Sequence, residues 1–284
     1  MSHHNRYAVF GHPIGHSKSP SIHTAFAQQT GQKLSYEAFD VPPEKFDEQL
    51  NRFLRQGGHG LNCTVPLKEL AFQRADELSA AAQLSGAVNT LSQAGDGRLI
   101  GDNTDGIGLI QDLTGNLRLQ LANRNILLLG AGGASRGVIA PLLAQSPKYM
   151  VIANRTAAKA EALAKHFADQ ASNSSSLSGQ GLESLEGQTF DLILNATAAS
   201  LSGELPALPE TLLAKNGACY DLAYGAKPTP FVRWGQTHGA AITKDGLGML
   251  VEQAAAAFEI WRGVRPDTQD LIRTLEQERS AIPT

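Results

Sequence analysis

Short apolar runs alternate with segments of helical spacing over the first hundred residues. This alternation predicts strands at residues 7–10, 34–39 and 60–64 and helices at residues 20–29 and 44–56. Ser19 directly precedes the first helix and is the expected N-cap. Alternating strands and helices require crossover connections, so the pattern predicts an α/β layer with a mostly parallel sheet.

A second alternation of strands and helices begins near Gly106. Residues 125–130 form an unbroken apolar run ending in glycine, which is typical of a strand buried on both faces. Further strands are predicted at residues 149–153, 190–195, 218–222 and 240–243, and two long helices at residues 247–264 and 268–279. Residues 169–181 are rich in polar residues and glycine, so a surface loop is expected there. No strand separates the last two helices, which we expect to pack back on the first region.

The composition is that of an ordinary soluble globular protein. Of 284 residues, 42% are hydrophobic and 18% are charged, and the formal net charge is -3. We expect no nucleic-acid partner, because a broad basic surface is missing. We also expect no membrane span, since no apolar run approaches roughly 18 residues.

The first residues, the cysteines and the histidines bear on the cellular compartment and on metal binding. The first residues lack the apolar core of a signal peptide, and Cys63 and Cys219 are far apart in sequence. Both cysteines are therefore expected to be free thiols in a reducing cytoplasm. The eight histidines are scattered, so we expect no metal site.

A glycine-rich turn joins the apolar run at residues 125–130 to a helix. It consists of Gly130, Ala131, Gly132, Gly133 and Ala134, followed by Ser135. Such a turn lets backbone N–H groups approach a pyrophosphate at a helix N-terminus, close to the G-x-G-x-x-G/A pattern. An ordinary strand–helix turn is the alternative.

The end of the next strand bears on which dinucleotide would bind. Asn154, Arg155 and Thr156 stand there, with Lys159 one turn later, where an NAD site would carry an acidic residue. A guanidinium binds a 2′-phosphate that a carboxylate would repel, so this segment favours NADP. A solvated surface pair is the alternative for Arg155 and Lys159.

Three polar clusters occur in the first region. Ser17 and Ser19 offer hydroxyls at a helix start, which favours an anion. Lys68 follows Asn62 and Thr64 at a strand end, and Asn89 and Asp105 lie beside glycines. Capping, surface exposure and turns would explain each cluster alone.

Taken together, these clusters indicate a site for a small polyhydroxylated acid. A ketone that receives a hydride also needs a proton, which a lysine supplies and takes back if it is neutral in the reverse direction. We therefore expect Lys68 to transfer the proton, with Asp105 holding it in place and taking part in the transfer.

The ordered motifs resemble those of the bacterial shikimate dehydrogenase family over essentially the whole chain. They are residues 10–20, 62–68, 86–90, 103–106, 130–135, 154–156 and 246–253. The resemblance implies reversible NADPH-dependent reduction of 3-dehydroshikimate to shikimate, on the pathway to chorismate and the aromatic amino acids. It also implies a substrate-binding catalytic domain of residues 1–105 and 246–284 and a Rossmann-type NADP-binding domain of residues 106–245. Small molecules are the expected partners, and the chain is expected to be a monomer or homodimer.

The resemblance also implies a role for individual residues. Lys68 and Asp105 match the catalytic pair. Substrate contacts are implied for Ser17, Ser19, Asn62, Thr64, Asn89, Asp105, Tyr224 and Gln253. Cofactor contacts are implied for Gly130, Ala131, Gly132, Gly133, Ala134, Asn154, Arg155, Thr156, Lys159, Leu222 and Gly246.

The chain departs from the family pattern at a few positions. Ala198 and Ala199 precede Ser200, whereas relatives usually carry Ser and then Gly close to Thr197, which leaves the cofactor contacts of this loop open. Cys63 replaces a more usual valine with little expected effect. Lys159 stands where some relatives carry an arginine, and it should still attract phosphate.

Three alternatives to this function differ in what they require. A quinate/shikimate dehydrogenase that uses NAD or NADP would tend to lose the second basic group and alter Ser17–Ser19. A non-catalytic dinucleotide-binding regulator would lose Lys68 or Asp105. A folate-type dehydrogenase would lack the paired serines. The residues present favour the shikimate dehydrogenase reaction over all three.

Overall fold

The computed structural model describes residues 5–170, 176–197, 199–200 and 203–281. The chain divides into two compact units. The first comprises Met1–Gly108 and Val251–Arg273, and the second Leu109–Leu250 and Thr274–Thr284. The functional boundaries expected after residues 105 and 245 stay a prediction.

The first unit contains the first half of the strands and helices. They are β1 (Asn5–Gly11), α1 (Ser19–Gln29), β2 (Leu34–Asp40), α2 (Phe46–Arg55), β3 (Gly58–Cys63), α3 (Lys68–Arg74), β4 (Glu77–Leu78), α4 (Ala80–Ser85), β5 (Thr90–Gln93), β6 (Leu99–Asp102) and the start of α5 (Asp105–Ile110). Most of α9 (Leu247–Arg262) and the start of α10 (Gln269–Ser280) complete it.

The described strands of the first unit form a six-stranded sheet in the order β2-β1-β3-β5-β6-β4. β1 pairs in parallel with β2 and β3, and β4 pairs in parallel with β6. β5 runs antiparallel to β3, and it forms an antiparallel hairpin with β6. The sheet is therefore mostly parallel with an antiparallel insertion, and β5 lies between two partners in its interior.

Helix α2 shows how the first core is built from sequence. Its apolar residues Phe46, Leu50 and Phe53 recur at helical spacing, and each is at most 4% exposed. They pack in one cluster with Phe10 and Leu61 of the sheet. Burying each such side chain stabilises the fold by about 1.5–3 kcal/mol, so α2 is fixed to the sheet by its apolar face.

The second unit holds the remaining elements. A π-helical turn (Gln111–Asn116) follows α5, and then come β7 (Asn125–Leu129), α6 (Gly133–Leu143), β8 (Tyr149–Asn154), α7 (Ala157–Phe167), β9 (Ser176–Gly181), β10 (Phe190–Asn195), β11 (Leu213–Asp221), α8 (Pro230–Thr237) and β12 (Ile242–Asp245). The end of α10 also belongs to this unit, where Arg279 pairs with Asp245 and Lys244 pairs with Glu276.

The described strands of the second unit form a wholly parallel sheet in the order β12-β11-β10-β7-β8-β9. Numbered within this unit the order is 3-2-1-4-5-6 read from β9, the arrangement of a dinucleotide-binding Rossmann domain. Central strand β7 has Ile126, Leu127, Leu128 and Leu129 fully buried, as its apolar run predicts. The predicted α/β class and Rossmann-type unit are confirmed.

Two local predictions were wrong. Ser19 is not the N-cap of α1: the helix begins at Ser19, and the hydroxyl of Ser17 accepts the backbone N–H of Ser19 at 3.3 Å. The expected polar loop at residues 169–181 contains β9, which pairs with β8 alone at the sheet edge. An edge strand needs fewer apolar residues, so the polar composition hid it. Residues 171–175 lie outside the described residues.

Candidate active site

Lys68 and Asp105 come from two loop-to-helix junctions of the first unit. Lys68 opens α3 after a turn in which the Leu67 N–H donates to the Thr64 carbonyl, and Asp105 opens α5. The Lys68 Nζ lies 2.5 Å from the Asp105 Oδ2. Their side chains are only 18% and 8% exposed, so this ion pair is largely shielded from water. The predicted pair is therefore brought together.

Asn89 and Gln253 complete a polar group around the carboxylate. The Asn89 Nδ2 donates to the Asp105 Oδ1 at 2.9 Å and lies 3.3 Å from the Gln253 Oε1. The Asn89 Oδ1 accepts the backbone N–H of Thr104 at 2.9 Å. Because the Asn89 amide donates to Asp105 and accepts from Thr104, its orientation is determined.

Asn62 lies in the interior of the sheet. Its Nδ2 donates to the Asn89 carbonyl at 3.1 Å and to the Thr90 Oγ1 at 3.0 Å, while its Oδ1 accepts from the Tyr36 hydroxyl at 2.7 Å. Both amide hydrogens therefore have protein partners, and at most one lone pair is left for a substrate. Asn62 holds the framework beneath the site.

The remaining predicted substrate residues of the first unit lie at the start of α1 and in the loop after β3. Ser17 lies in the turn before α1, and Ser19 in its first turn is 6% exposed. Thr64 follows β3, and its backbone N–H donates to the Phe10 carbonyl at 2.9 Å. A Cβ on Gly11 would lie 2.4 Å from the Thr64 methyl group, so glycine is required where the two loops meet. It stays a prediction that the substrate is bound by Ser17, Ser19 and Thr64.

Several buried polar residues of the first unit were missed by sequence reasoning. Tyr36, Thr90 and Thr104 connect to the predicted residues by hydrogen bonds, and His23 stacks on Tyr36 with ring centroids 4.1 Å apart. Thr90 and Thr104 stood inside motifs already singled out. Tyr36 gave a weaker signal, because an aromatic residue in a strand is usually only a core residue.

The glycine loop of the second unit has the geometry expected of a phosphate-binding turn. Gly130 has a φ of +104°, and a Cβ there would lie 3.0 Å from the Ala196 carbonyl oxygen. A Cβ on Gly132 or Gly133 would meet nothing within 4 Å, so the start of α6 is open. The Ser135 hydroxyl donates to the Gly130 carbonyl at 2.8 Å and closes the turn. The loop fits a pyrophosphate approached by backbone N–H groups.

The basic residues after β8 are available to an anion. Arg155 and Lys159 are exposed, and neither forms an ion pair with another residue that the structure describes. The Asn154 Nδ2 donates to the Thr156 carbonyl at 3.0 Å, which shapes the turn before α7. No acidic residue stands at this strand end, so the segment fits a 2′-phosphate.

Leu222, Gly246 and Tyr224 lie beyond the carboxyl ends of β11 and β12, in the same unit as the glycine loop. The Gly246 N–H donates to the Ala223 carbonyl at 3.1 Å, and a Cβ on Gly246 would lie 2.2 Å from the Leu222 carbonyl oxygen. Burial, reinforced by the charge of Asp245, raises the pKa of Tyr224. Tyr224 is thus a neutral hydroxyl in the second unit, whereas the other predicted substrate residues belong to the first.

A buried carboxylate organises the same strand ends. Asp221 accepts hydrogen bonds from Asn195 at 3.1 Å and from the hydroxyls of Ser200 and Thr229 at 2.6 Å each. Burial raises the pKa of Asp221, and these donors oppose that shift. Ser200, which follows the departure from the family pattern, therefore has a defined partner, while Ala198 lies outside the described residues.

Within residues 5–170, 176–197, 199–200 and 203–281, no group of three or more His, Cys, Asp or Glu side chains is arranged to hold a metal ion. No helix in the same part of the chain is long and apolar enough to cross a membrane.

Family models match three successive segments of the chain. Residues 9–91 match the shikimate dehydrogenase substrate binding domain, residues 112–202 match shikimate / quinate 5-dehydrogenase, and residues 246–276 match the shikimate 5'-dehydrogenase C-terminal domain.

Relatives match over nearly the full length. A shikimate dehydrogenase (NADP(+)) of Methylococcus capsulatus is 59% identical over 98% of this chain and 99% of its own. That of Alkalilimnicola ehrlichii is 54% identical over 96% of this chain and 99% of its own. Among solved structures, the shikimate 5-dehydrogenase of Thermus thermophilus in complex with NADP(H) and shikimate is 36% identical, with a TM-score of 0.84 over 96% of this chain and 99% of its own.

These matches cover the segments that contain the Lys68–Asp105 pair, the glycine loop and the C-terminal helices. The chain therefore belongs to the shikimate dehydrogenase family.

Proposed function

We propose that this protein catalyses the reversible NADP-dependent reduction of 3-dehydroshikimate to shikimate, on the pathway to chorismate and the aromatic amino acids. The observation that carries the proposal is the shielded Lys68–Asp105 pair, with Asn89 and Gln253 around its carboxylate. The 59% identity to an NADP-dependent shikimate dehydrogenase over nearly the whole chain supports the same reaction.

Lys68 handles the proton in this reaction. When bound, NADPH supplies the hydride that adds to the ketone carbon. The carbonyl oxygen becomes an alkoxide and takes a proton from the ammonium of Lys68, which is left neutral. In the direction of shikimate oxidation, neutral Lys68 accepts the hydroxyl proton. Asp105, 2.5 Å from Nζ, orients the ammonium and takes part in the proton transfer.

The substrate contacts divide by chemistry. Ser17 and Ser19 offer hydroxyls for the substrate carboxylate at the start of α1, where the helix dipole also favours an anion. The ring hydroxyls are held by Thr64, Asn89, Asp105 and Gln253. The one lone pair left on the Asn62 side chain also accepts from the substrate. Tyr224 is also proposed as a substrate contact, with a hydroxyl whose pKa burial raises.

The cofactor contacts follow from the second unit. The loop from Gly130 to Ala134 binds the pyrophosphate, and Asn154, Arg155, Thr156 and Lys159 hold the 2′-phosphate. Leu222 and Gly246 line the nicotinamide end. The support is the open helix start at Gly132 and Gly133, together with two cations, Arg155 and Lys159, that pair with no carboxylate among the described residues.

We further propose that the enzyme acts on small molecules in the cytoplasm, as a monomer or homodimer. Cys63 and Cys219 are buried free thiols, which suits a reducing compartment.

The test is oxidation of shikimate and of quinate, each with NADP and with NAD, followed by absorbance of the reduced nicotinamide. Strong activity with shikimate and NADP alone is expected. Comparable rates with quinate or NAD would instead assign the chain to the quinate/shikimate branch. Lack of activity in all four assays would contradict the proposed enzyme and favour a non-catalytic regulator.

A further inference from the structure

The hydrogen bonds beneath the Lys68–Asp105 pair form a continuous chain through the first unit. The Tyr36 hydroxyl donates to the Asn62 Oδ1 at 2.7 Å, and the Asn62 Nδ2 donates to the Thr90 Oγ1 at 3.0 Å. The Thr90 hydroxyl then donates to the Asn89 Oδ1 at 2.8 Å. Finally, the Asn89 Nδ2 donates to the Asp105 Oδ1 at 2.9 Å. We call these five residues the relay.

Every donor in the relay points in the same direction. The first four residues each donate a hydrogen bond to the next, and the last acceptor is the Asp105 carboxylate, which contacts Lys68. Hydrogen bonds aligned in this way polarise one another, which strengthens the final bond to a negative charge. The relay members are at most 7% exposed, so water competes little with these bonds.

Thr90 is the link that connects the two amides. It is fully buried at the start of β5, where its backbone pairs with Asn62 of β3 on one side and with Asp102 of β6 on the other. Its single hydroxyl accepts from one asparagine and donates to the next. A side chain that fills the same space without a hydroxyl would remove the 2.8 Å donor to the Asn89 Oδ1. That oxygen would keep only the Thr104 backbone N–H at 2.9 Å and the longer contact of the Thr104 hydroxyl at 3.2 Å.

We propose that Thr90 is a positioning residue for the reaction, which acts through Asn89 to keep the Asp105 carboxylate oriented and charged beside Lys68. This inference rests on the proposed function. Tyr36 begins the same relay and has a weaker influence, because three hydrogen bonds separate it from Asn89. Neither residue is proposed to touch the substrate.

Three titratable groups in or beside the relay, Cys63, Tyr36 and His23, have pKa values far from neutral. Burial raises the pKa of the Cys63 thiol to about 12, against the opposing charge of Lys68. Burial also raises the pKa of Tyr36 well above its usual value and lowers that of His23 to about 3. A shift in the pH dependence of turnover between these limits therefore reports on the Lys68–Asp105 pair.

The test compares Thr90→Val, which keeps the shape, with Thr90→Ser, which keeps the hydroxyl. Initial rates of shikimate oxidation with NADP are measured from pH 5 to 10. For Thr90→Val we expect kcat to fall about tenfold, with the KM for shikimate within about threefold of wild type. We also expect the acid limb of the kcat profile to move to higher pH, because a carboxylate with weaker donors is protonated more readily. Thr90→Ser should restore both values to near those of wild type.

Two further variants separate positioning from folding. Thr30→Val removes a hydroxyl that donates only to the Phe26 carbonyl at the end of α1, and it should leave kcat and the pH profile unchanged. Tyr36→Phe keeps the ring against His23 and should lower kcat about threefold with an acid-limb shift in the same direction. If Thr90→Val does not fold, Thr90→Ser and Tyr36→Phe decide the question.

Wild-type turnover tests the proposed function, and the ratio of variant to wild type tests the positioning role. An active wild type with unchanged kcat and pH profile in Thr90→Val, or in Tyr36→Phe where Thr90→Val does not fold, would overturn the inference. A loss confined to KM, or one that Thr90→Ser does not rescue, would also overturn it.

Discussion

The Lys68 side chain is held by a short contact to Asp105 rather than exposed as most surface lysines are. An ammonium that must give up a proton at a fixed place gains from such confinement, because proton transfer requires contact geometry. Asp105 is in turn fixed by Asn89, so the orientation of the lysine depends on neutral amides behind it.

Lys68→Ala tests the proton-transfer role. Turnover of shikimate should fall by about 10²- to 10⁴-fold, the usual contribution of a general acid or base, with a smaller effect on substrate affinity. Lys45→Ala is the control, since Lys45 is exposed and its one ion pair among the described residues is with Glu48. Steady-state kinetics decide the matter, and turnover that survives in Lys68→Ala would remove the assignment.

Arg155→Ala tests the preference for NADP. The KM for NADP should rise about ten- to a hundredfold, the equivalent of a lost charged hydrogen bond of roughly 1.5–3 kcal/mol, while the KM for NAD changes little. Lys165→Ala is a matched control, because Lys165 is an exposed cation farther along α7. Equal losses for the two cofactors would contradict contact with the 2′-phosphate.

At the scale of elements, strand β9 contains a glycine that its packing against α7 explains and its composition does not. Gly179 lies against α7, and a Cβ there would be 2.2 Å from the backbone carbonyl oxygen of Ala160. A backbone atom does not rotate away as a side-chain tip would. The close approach of α7 to the sheet edge therefore depends on glycine at this position.

Gly179→Ala should destabilise the second unit by about 1–3 kcal/mol, the typical cost of overpacking. The free energy of unfolding is measured by urea titration with far-UV circular dichroism. Gly95→Ala serves as the control, because a Cβ on Gly95 meets nothing within 4 Å, and its stability should stay close to that of wild type. A Gly179→Ala midpoint equal to that of Gly95→Ala would show that α7 is free to shift.

Elements with strong apolar patterns were predictable from sequence, and the others were not. The run at Asn125–Leu129 and the spacing in α2 each predicted an element that the structure contains. The short strands β4, β5 and β6 were missed because a strand as short as Glu77–Leu78 has too few residues to show alternation.

The candidate site was predictable to the extent that its residues stand in motifs. Lys68, Asn89, Asp105 and Gln253 were expected and do lie together. Thr90 and Tyr36 were missed because a buried threonine or tyrosine in a strand is ordinary, and only the folded structure shows which amide each contacts. The polarity of a hydrogen-bond chain follows from tertiary contacts and is not encoded in local spacing.

At the scale of the whole molecule, the core of the first unit contains a titratable group. The first encloses aromatic rings around a histidine: His23 is fully buried beside Tyr36, Phe26, Phe258 and Trp261. Neither ring nitrogen has a hydrogen-bond partner in the described part of the chain. Burial lowers the pKa of His23 to about 3.

This buried histidine makes stability depend on acidity. Above pH 6.5 neither the folded nor the unfolded state binds a proton at His23. Between pH 6.5 and about 3 the unfolded state binds one and the folded state does not. The free energy of unfolding therefore falls as pH falls, by up to about 1.4 kcal/mol per pH unit from this group.

Urea titrations at pH 6.5, 5.5 and 4.5 measure this slope. His23→Phe should flatten it relative to wild type, whatever its absolute stability, whereas His59→Phe, at an exposed position, should keep it. Parallel slopes for wild type and His23→Phe would mean that the buried ring takes up a proton in the folded state.

The first unit is discontinuous in sequence, and this order matters while the chain is being made. Trp261, near its end, stacks on Tyr7 at 4.7 Å, donates to the Leu91 carbonyl at 3.2 Å, and lies against Gly60. All of Leu109–Leu250 is translated in between, about 7 to 28 seconds of synthesis at roughly 5 to 20 residues per second. During that interval the nascent sheet lacks its last helices and presents an apolar aromatic face, the kind of surface that ribosome-associated chaperones shield.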